Sequence, residues 1–389
     1  MTNKPKNALP LRGIRVLELS TAVMGPTCGL ILADMGAEVI RVERAPDGDE
    51  TRRLGGFGAG FFPFLNRNKK SIAIDLKSDR GKEVFKKLIL SADVLLENFA
   101  PGTIERLGFG YDYVSKLNPR LIYCKLKGFM PGPYEKRPAL DEVVQMMSGI
   151  AYMTGPLGQP LRAGASVTDI MGGTFGAIAI LTALYERERT GKGQSAIATL
   201  FESAAFLMGQ HMAVSAITGK PSPPMPNRQS AWAIYDRFET KEGEMVFVGI
   251  TSDRHWKRFC ETIGIAQLAA DKRLASNNDR VSQRQWLIPE LQRLFKTMTK
   301  AELFKLCEEA GIPFSQIAKP EDLFDDVQLN EGGGLLETTI AGGIKTKLPR
   351  IPIRIGSYDF GLQNDPPEIG QDEQEIFESI GLSADEIKQ

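Results

Sequence analysis

IRVLELSTAVMGPTCGLILADMGAEVIRVE, residues 14–43, decides the fold. Residues 14–19 (IRVLEL) read as a buried strand. A loop with Gly25 and Pro26 follows, then a helix over residues 27–35, which Gly36 ends. Residues 38–42 (EVIRV) are a second strand, so the stretch is a βαβ unit and its strands run parallel. The pattern recurs downstream. Residues 71–76 (SIAIDL) predict a third strand, residues 78–90 an amphipathic helix, residues 93–97 (DVLLE) a fourth strand and residues 121–126 (LIYCKL) a fifth. Alternating strands and helices predict the α/β class, with a doubly wound parallel sheet. The run Asn98-Phe99-Ala100-Pro101-Gly102 sits at a strand's carboxyl end, where open α/β sheets bind ligands. Thr103 then caps a short helix carrying Arg106.

Glu43 closes the second strand, as the ribose-binding acid of a dinucleotide enzyme would. The first turn, STAVMGPTCG, lacks the GxGxxG fingerprint, which argues against a nicotinamide dehydrogenase. A second glycine-rich run, GGFGAG at residues 55–60, is not flanked by a strand and a helix and reads as a flexible loop.

The middle of the chain turns on residues 161–194, LRAGASVTDIMGGTFGAIAILTALYERERTGKGQ. A polar segment gives way at Asp169 to a long helix with apolar spacing at Ile170, Ala177, Ile178, Leu181 and Leu184. Gly172, Gly173 and Gly176 leave one helix face nearly bare, and Gly191 suits the stop. Asp169 has two readings. It is a helix N-cap, or it is a carboxylate at a helix N-terminus, beside room for a bulky ligand, able to act as a nucleophile.

Composition sets the bounds. The 389 residues are 42% hydrophobic and 25% charged, enough for a large core and two domains. Lys+Arg and Asp+Glu both number 48, which argues against a general nucleic-acid binder. The 4 cysteines form no CxxC pair and point to a reducing compartment rather than a zinc site or a disulfide scaffold. MTNKPKNALP lacks the apolar core of a signal peptide, and no apolar run reads as a membrane span of roughly 20 residues. The expectation is a cytoplasmic protein without a metal. Only 2 histidines are present, which restricts histidine-based chemistry.

The proline-rich run GKPSPPMPN, residues 219–227, marks a domain boundary. Beyond it, residues 233–238 and 245–250 read as a β-hairpin, and helices follow near 253–263, 283–298 and 300–310. This is a small α+β domain over residues 228–330. Strand-like pieces lie at 335–340 and 351–355, and a last helix at 371–380. Residues 1–220 with 335–389 make the large domain, with linkers at 219–227 and 331–350.

Several fragments in order resemble one family, the class III (formyl-CoA transferase type) coenzyme A transferases. They are the opening βαβ unit, RNKKSIAIDLKSDRGKEVFKKLILSADVLLENFAPGTIERLG, GFMPGPYEKRPALDEVVQMMSG, TDIMGGTFGAIAILTALYERERTGKGQ and the tail DPPEIGQDEQEIFESIGLSADEI. The resemblance implies a large Rossmann-like domain, a small domain and an interlocked homodimer. It implies that Asp169 is the nucleophile, attacking an acyl-CoA to form a mixed anhydride and then an aspartyl-CoA thioester. Coenzyme A and acyl-CoA are then substrates, and no cofactor is permanently bound. The positions that match the family's CoA contacts are Val23 and Met24 in the first turn, Arg44, Ile74 and Lys77, Asn98, Phe99 and Ala100, Arg106, and the loop from Arg137 to Leu140. Arginine and lysine suit phosphates, and Phe99 suits the adenine.

The departures narrow the reaction. Leu140 stands where racemases of this superfamily carry a histidine base, which disfavours an α-methylacyl-CoA racemase. PMPNRQSAWAIYDRF has no glycine run of the kind that covers the formyl-CoA branch's site, and Val23 replaces a glutamine. Both argue against formyl-CoA and oxalate as the substrate pair. Arg162, Arg228 and Arg137 are the clamps available for a second carboxylate. The expected exchange takes CoA from succinyl-CoA to a C4–C6 dicarboxylic acid. A racemase-like isomerase and a non-catalytic CoA-binding protein stand as alternatives.

Overall fold

The computed structural model describes residues 9–228 and 230–383. Residues 1–8 of the N-terminal stretch, Gln229 of PMPNRQSAWAIYDRF and the last residues of the tail signature lie outside the described residues.

The chain runs β1 (Arg15–Leu19), α1 (Met24–Asp34), β2 (Glu38–Glu43), α2 (Phe61–Leu65), β3 (Lys69–Ala73), α3 (Asp79–Ser91), β4 (Val94–Glu97), α4 (Thr103–Arg106), α5 (Tyr111–Leu117) and β5 (Ile122–Lys127). Next come α6 (Asp141–Ser148), α7 (Ile150–Thr154), α8 (Val167–Thr190), β6 (Ser195–Thr199) and α9 (Leu200–Thr218). The strands form one six-stranded sheet in the order β3-β2-β1-β4-β5-β6. Every pairing in it is parallel. The order reverses between β1 and β4.

Alternate residues of the central strands feed two cores, because side chains alternate across a sheet. Val16, Val94, Leu96 and Ile122 pack with α1 and α8. Leu17, Leu19, Leu95 and Tyr123 pack with α3 and α5 on the other face. Glu18 lies on the first of these faces and is fully buried. It pairs with Arg41, its cross-strand partner in register, at 2.8 Å and with Lys69 at 2.9 Å. A Cβ on Gly29 of α1 would lie 1.7 Å from the Glu18 carboxylate, so only glycine lets the helix pass over that charge.

The glycine face of α8 receives α1, not a ligand. A Cβ at Gly173 would lie 2.5 Å from the Met24 carbonyl oxygen, and one at Gly176 2.6 Å from Leu126. The bare face expected to make room for a substrate is filled by close helix packing. By length and composition α8 is apolar enough to cross a membrane, contrary to the expectation that no run approaches that length. Its inner face is packed on α1 and β5.

Several boundaries move for physical reasons. The first helix starts at Met24, before Pro26, because proline in a first turn loses no intrahelical bond. β3 starts two residues early because Lys69 is buried against Glu18 rather than solvated. Gly102, in the left-handed region, precedes α4, and Thr103 is its first residue rather than its cap.

β3 is an edge strand, and the returning C-terminal segment covers it. Asp372 accepts the Ser71 N–H at 2.8 Å and Glu373 the Ala73 N–H at 2.9 Å, satisfying donors that an open edge would expose.

Contacts divide the chain into a unit of Met1–Asn227 with Gln328–Gln389 and a unit of Arg228–Val327. In the second, β7 (Ile234–Glu239), β8 (Met245–Ile250) and β9 (Phe314–Gln316) form an antiparallel sheet. Around it lie α10 (Asp253–Thr262), α11 (Ala266–Ala269), α12 (Asn277–Ser282), α13 (Arg284–Phe295) and α14 (Lys300–Ala310). After α15 (Val327–Glu331), β10 (Leu335–Ile340) pairs with β11 (Ile344–Pro349), and α16 (Glu373–Ser379) follows. The strand expected at residues 351–355 is therefore displaced to 344–349; Pro352 lacks the N–H a ladder needs.

Candidate active site

Asp169 is not the cap of α8. The helix starts at Val167, Ser166 occupies the N-cap without a side-chain bond, and Asp169 lies in the first turn. The capping is done from outside by Asp141, the first residue of α6. One Asp141 oxygen accepts the Thr168 N–H at 2.9 Å, the Thr168 hydroxyl at 2.7 Å and the Asp169 N–H at 3.3 Å. Its other oxygen accepts from Gln145 at 2.6 Å and from Arg162 at 3.2 Å. Gln145 in turn accepts the Ala163 N–H at 2.8 Å, which fixes the segment entering α8. One carboxylate thus ties α6, α8 and the entering loop together.

This arrangement sets the electrostatics of Asp169. Burial pushes its carboxyl up to about 7; the neighbouring Asp141 charge adds to the rise and Arg162 opposes it. Among the described residues no hydrogen bond to its carboxylate counts among these causes. A carboxylate with little stabilisation of its charge keeps its electron pair available for attack. The free N–H groups of the helix start favour negative charge developing there.

At the carboxyl ends of β1 to β4, beside the point where the strand order reverses, lies a cavity of about 390 Å³. Arg44, Ile74, Lys77 and Phe99 all line it, with Leu19 and Leu107 among its walls. A smaller cavity of about 240 Å³ shares Arg44 and Phe99 and reaches Ser20, Thr21 and Asp49. Cations, apolar walls and an aromatic ring suit a phosphorylated nucleotide. Phe99 is set by Glu97, which accepts its N–H at 2.9 Å and holds Lys127 at 2.6 Å.

The other expected contacts are placed differently. Val23 and Met24 are buried, Val23 among Leu30 and Leu65 and Met24 against Gly172, so their side chains do not line the cavities. Only their backbone is available, because α1 starts at Met24. Asn98 spends its amide on the first turn, accepting the Thr21 N–H at 3.0 Å and donating to the Thr21 carbonyl at 2.8 Å. Ala100 is exposed, and Arg106 is exposed and bonded to Thr103 at 2.9 Å. Arg137 stacks on the Tyr134 ring at 4.9 Å in an exposed loop, and Leu140 is 69% exposed just before α6. Arg162 is tied to Asp141 and, at 3.8 Å, to Glu142. Arg228 belongs to the second unit.

The first turn is held from several sides. Arg41 donates to the Ser20 carbonyl at 3.0 Å, and Lys69 to the Pro26 carbonyl at 2.9 Å. Between them Ala22 adopts φ 62, a conformation that side chains other than glycine avoid. Sequence reasoning missed Glu18, Arg41 and Lys69 as supports and Asp141 as the external cap. For Glu18 and Arg41 a signal exists: a charge inside a strand that is otherwise apolar. For Asp141 there is none, because its partners are distant in sequence. Among the described residues no group of side chains suited to a metal is found.

The family described as CoA-transferase family III matches residues 11–373. Succinate–glutarate CoA-transferase of Agrobacterium fabrum is 33% identical over 98% of this chain and 98% of its own length. Acetyl-CoA:oxalate CoA-transferase of Acetobacter aceti is 36% identical over 92% of this chain and 91% of its own. Succinyl-CoA:glutarate CoA-transferase of Mus musculus is 32% identical over 95% and 86%. Among solved structures, a CAIB/BAIF family protein from Brucella suis superposes with a TM-score of 0.85 at 32% identity, over 96% of this chain and 100% of that one.

Proposed function

The chain belongs to CoA-transferase family III and is a CoA-transferase; from that premise we propose that it moves coenzyme A from succinyl-CoA to a C4–C6 dicarboxylic acid through a covalent intermediate on Asp169. The observation that carries the reading is the desolvated Asp169 carboxylate at the start of α8, raised to about 7. That carboxylate attacks the thioester carbonyl, expelling CoA thiolate and leaving a mixed anhydride. The thiolate attacks the aspartyl carbonyl, releasing succinate and leaving an aspartyl-CoA thioester. The acceptor carboxylate attacks in its turn, and the thiolate returns to the acceptor's carbonyl, regenerating Asp169. Each step exchanges one carboxylic acyl group for another, so the sequence is nearly balanced.

The nucleotide part of CoA is proposed to lie in the crevice at Arg44, Lys77 and Phe99 of a Rossmann-like domain. Arg162, though paired with Asp141, is the proposed partner of the acceptor's distal carboxylate. The dicarboxylate preference is supported by the succinate, glutarate and oxalate transferases among the relatives. An interlocked homodimer is proposed as well. Its support is α9, which presents Phe206, Met212 and Ile217 to solvent within this chain, a patch that suits a second copy. A reducing, cytoplasmic setting accords with 4 free, buried cysteines.

The test is to incubate the protein with succinyl-CoA, trap with hydroxylamine or borohydride and map the modified residue by mass spectrometry, with Asp169→Asn as control. Modification at Asp169, with turnover on succinate, glutarate or adipate, supports the reading. A panel in which only monocarboxylates accept CoA overturns the substrate assignment. CoA binding without modification or turnover overturns the mechanism.

A further inference from the structure

The glycine-rich run GGFGAG contributes nothing to either crevice cavity. It is a single 3₁₀ turn, Gly56–Gly60, that leads into α2. Phe57 at its tip is 76% exposed. The ring meets Phe61 edge-on at 5.4 Å and lies 5.7 Å from the Arg162 guanidinium. Arg162 in turn bonds Asp141 at 3.2 Å, and its charge acts on Asp169. Phe57 therefore stands one side chain from the carboxylate assigned above as the nucleophile.

The flanking glycines are informative because nothing static requires them. Gly55 has φ −97 and ψ −177, and Gly60 φ −83 and ψ −12, conformations open to any residue. A Cβ added at either would meet no atom within 4 Å. With neither conformation nor space demanding glycine, the property left is backbone freedom. Two such positions bracket one exposed aromatic ring.

We propose that Phe57 is a hinged cover, swinging about Gly55 and Gly60 to close over the thioester formed on Asp169 and keep water from it. The proposal rests on the covalent reading given above. In the open state, water's oxygen bonds to the Asp169 carbonyl carbon and the C–S bond breaks. The water's protons are released or end on the CoA thiol, and the carboxylate returns with no acid converted. In the closed state the ring loses its contact with water, which favours closing, and the acceptor acid is the nucleophile at hand.

The experiment measures, for the full chain with succinyl-CoA and glutarate, the ratio of free CoA released to glutaryl-CoA formed, alongside hydroxylamine trapping. Phe57→Ala raises that ratio about tenfold with Asp169 still labelled, and Phe57→Leu restores most of the loss. The Gly55→Ala/Gly60→Ala double variant lowers kcat several-fold at little changed KM, and its Tm is equal or higher because the unfolded chain is stiffened. If Phe57→Ala labels Asp169 as the parent does and its ratio stays within about twofold, the cover is wrong while the covalent reading stands. If the parent itself carries no label on Asp169, the covalent reading falls and the cover with it.

Discussion

At the ends of β1 to β3 the buried charges come in opposite pairs; at the start of α8 two carboxylates share one arginine. In the first region Glu18 holds Arg41 and Lys69, Asp49 also holds Arg41, and Glu43 holds Arg52 at 2.6 Å. These pairs fix the first βα turn and with it the walls of the nucleotide crevice. In the second, Asp141 is satisfied by five donors, while Asp169 is raised to about 7. Both regions bury ionisable groups, which is unfavourable unless charge or hydrogen bonds compensate. Compensation at the crevice gives a rigid binding surface. Its incompleteness at Asp169 leaves a carboxylate ready to react.

The comparison breaks most decisively at Asp169. Asp169→Asn lowers kcat by on the order of 10⁴-fold or more, measured as glutaryl-CoA formed from succinyl-CoA. The same change stabilises the fold at high pH. A carboxyl whose folded value lies above its unfolded one contributes stability that is full at acid pH and lost as pH rises through about 7. Asp169→Asn therefore melts several degrees above the parent at pH 8 and level with it near pH 4. A variant that is inactive but no more stable at pH 8 would contradict the strain assigned to this carboxylate.

The crevice behaves in the opposite way. Removing one member of its buried pairs leaves an uncompensated charge, so Lys69→Met and Glu18→Gln each lose about 3–5 kcal/mol in urea unfolding. A loss below about 1 kcal/mol would mean that water reaches this cluster and that the first turn is held otherwise. Lys69 is itself held down to about 8 by burial, against the pull of Glu18.

Asp141→Asn sharpens the contrast, because it keeps the shape and removes the like charge. The Asp169 titration then moves down by roughly one unit, and the acid limb of the kcat–pH profile moves with it. Part of the cap on α8 goes as well, at about 1 kcal/mol. An unmoved profile would show that burial alone raises Asp169.

How much of this was legible in the sequence follows the range of the forces involved. The βαβ spacing of residues 14–43 and the helix from the SVTD segment are local patterns, and they placed the parallel sheet and α8 within a few residues. The convergence of Arg44, Ile74, Lys77 and Phe99 follows from strand ends in a doubly wound order, so it too could be read ahead. What was not legible depends on distant partners. Asp141 caps a helix that starts 26 residues later in the chain's path, from Val167, and nothing near either residue announces it. Gly172, Gly173 and Gly176 pointed to close approach, but only the fold shows that the neighbour is α1. Val23 and Met24 look like exposed turn residues until Pro26 is seen inside the first helical turn.

The smallest expected effect lies at the rim of the crevice, where its rigid lining meets solvent. Arg44 is 61% exposed and pairs only loosely with Asp47 at 3.8 Å, and Lys77 is exposed too. Charges there attract phosphates through water, so each is worth little alone and is screened by salt. Arg44→Ala and Lys77→Ala should each raise KM for succinyl-CoA roughly three- to fivefold and leave kcat unchanged. The loss should shrink between low ionic strength and about 0.5 M salt. Phe99→Ala, which removes the apolar wall instead, should raise KM with little salt dependence, because apolar contact is not screened. If the two arginine and lysine variants changed kcat rather than KM, the crevice would be coupled to the chemistry at Asp169. The separation of a rigid binding end from a strained reacting end would then be wrong.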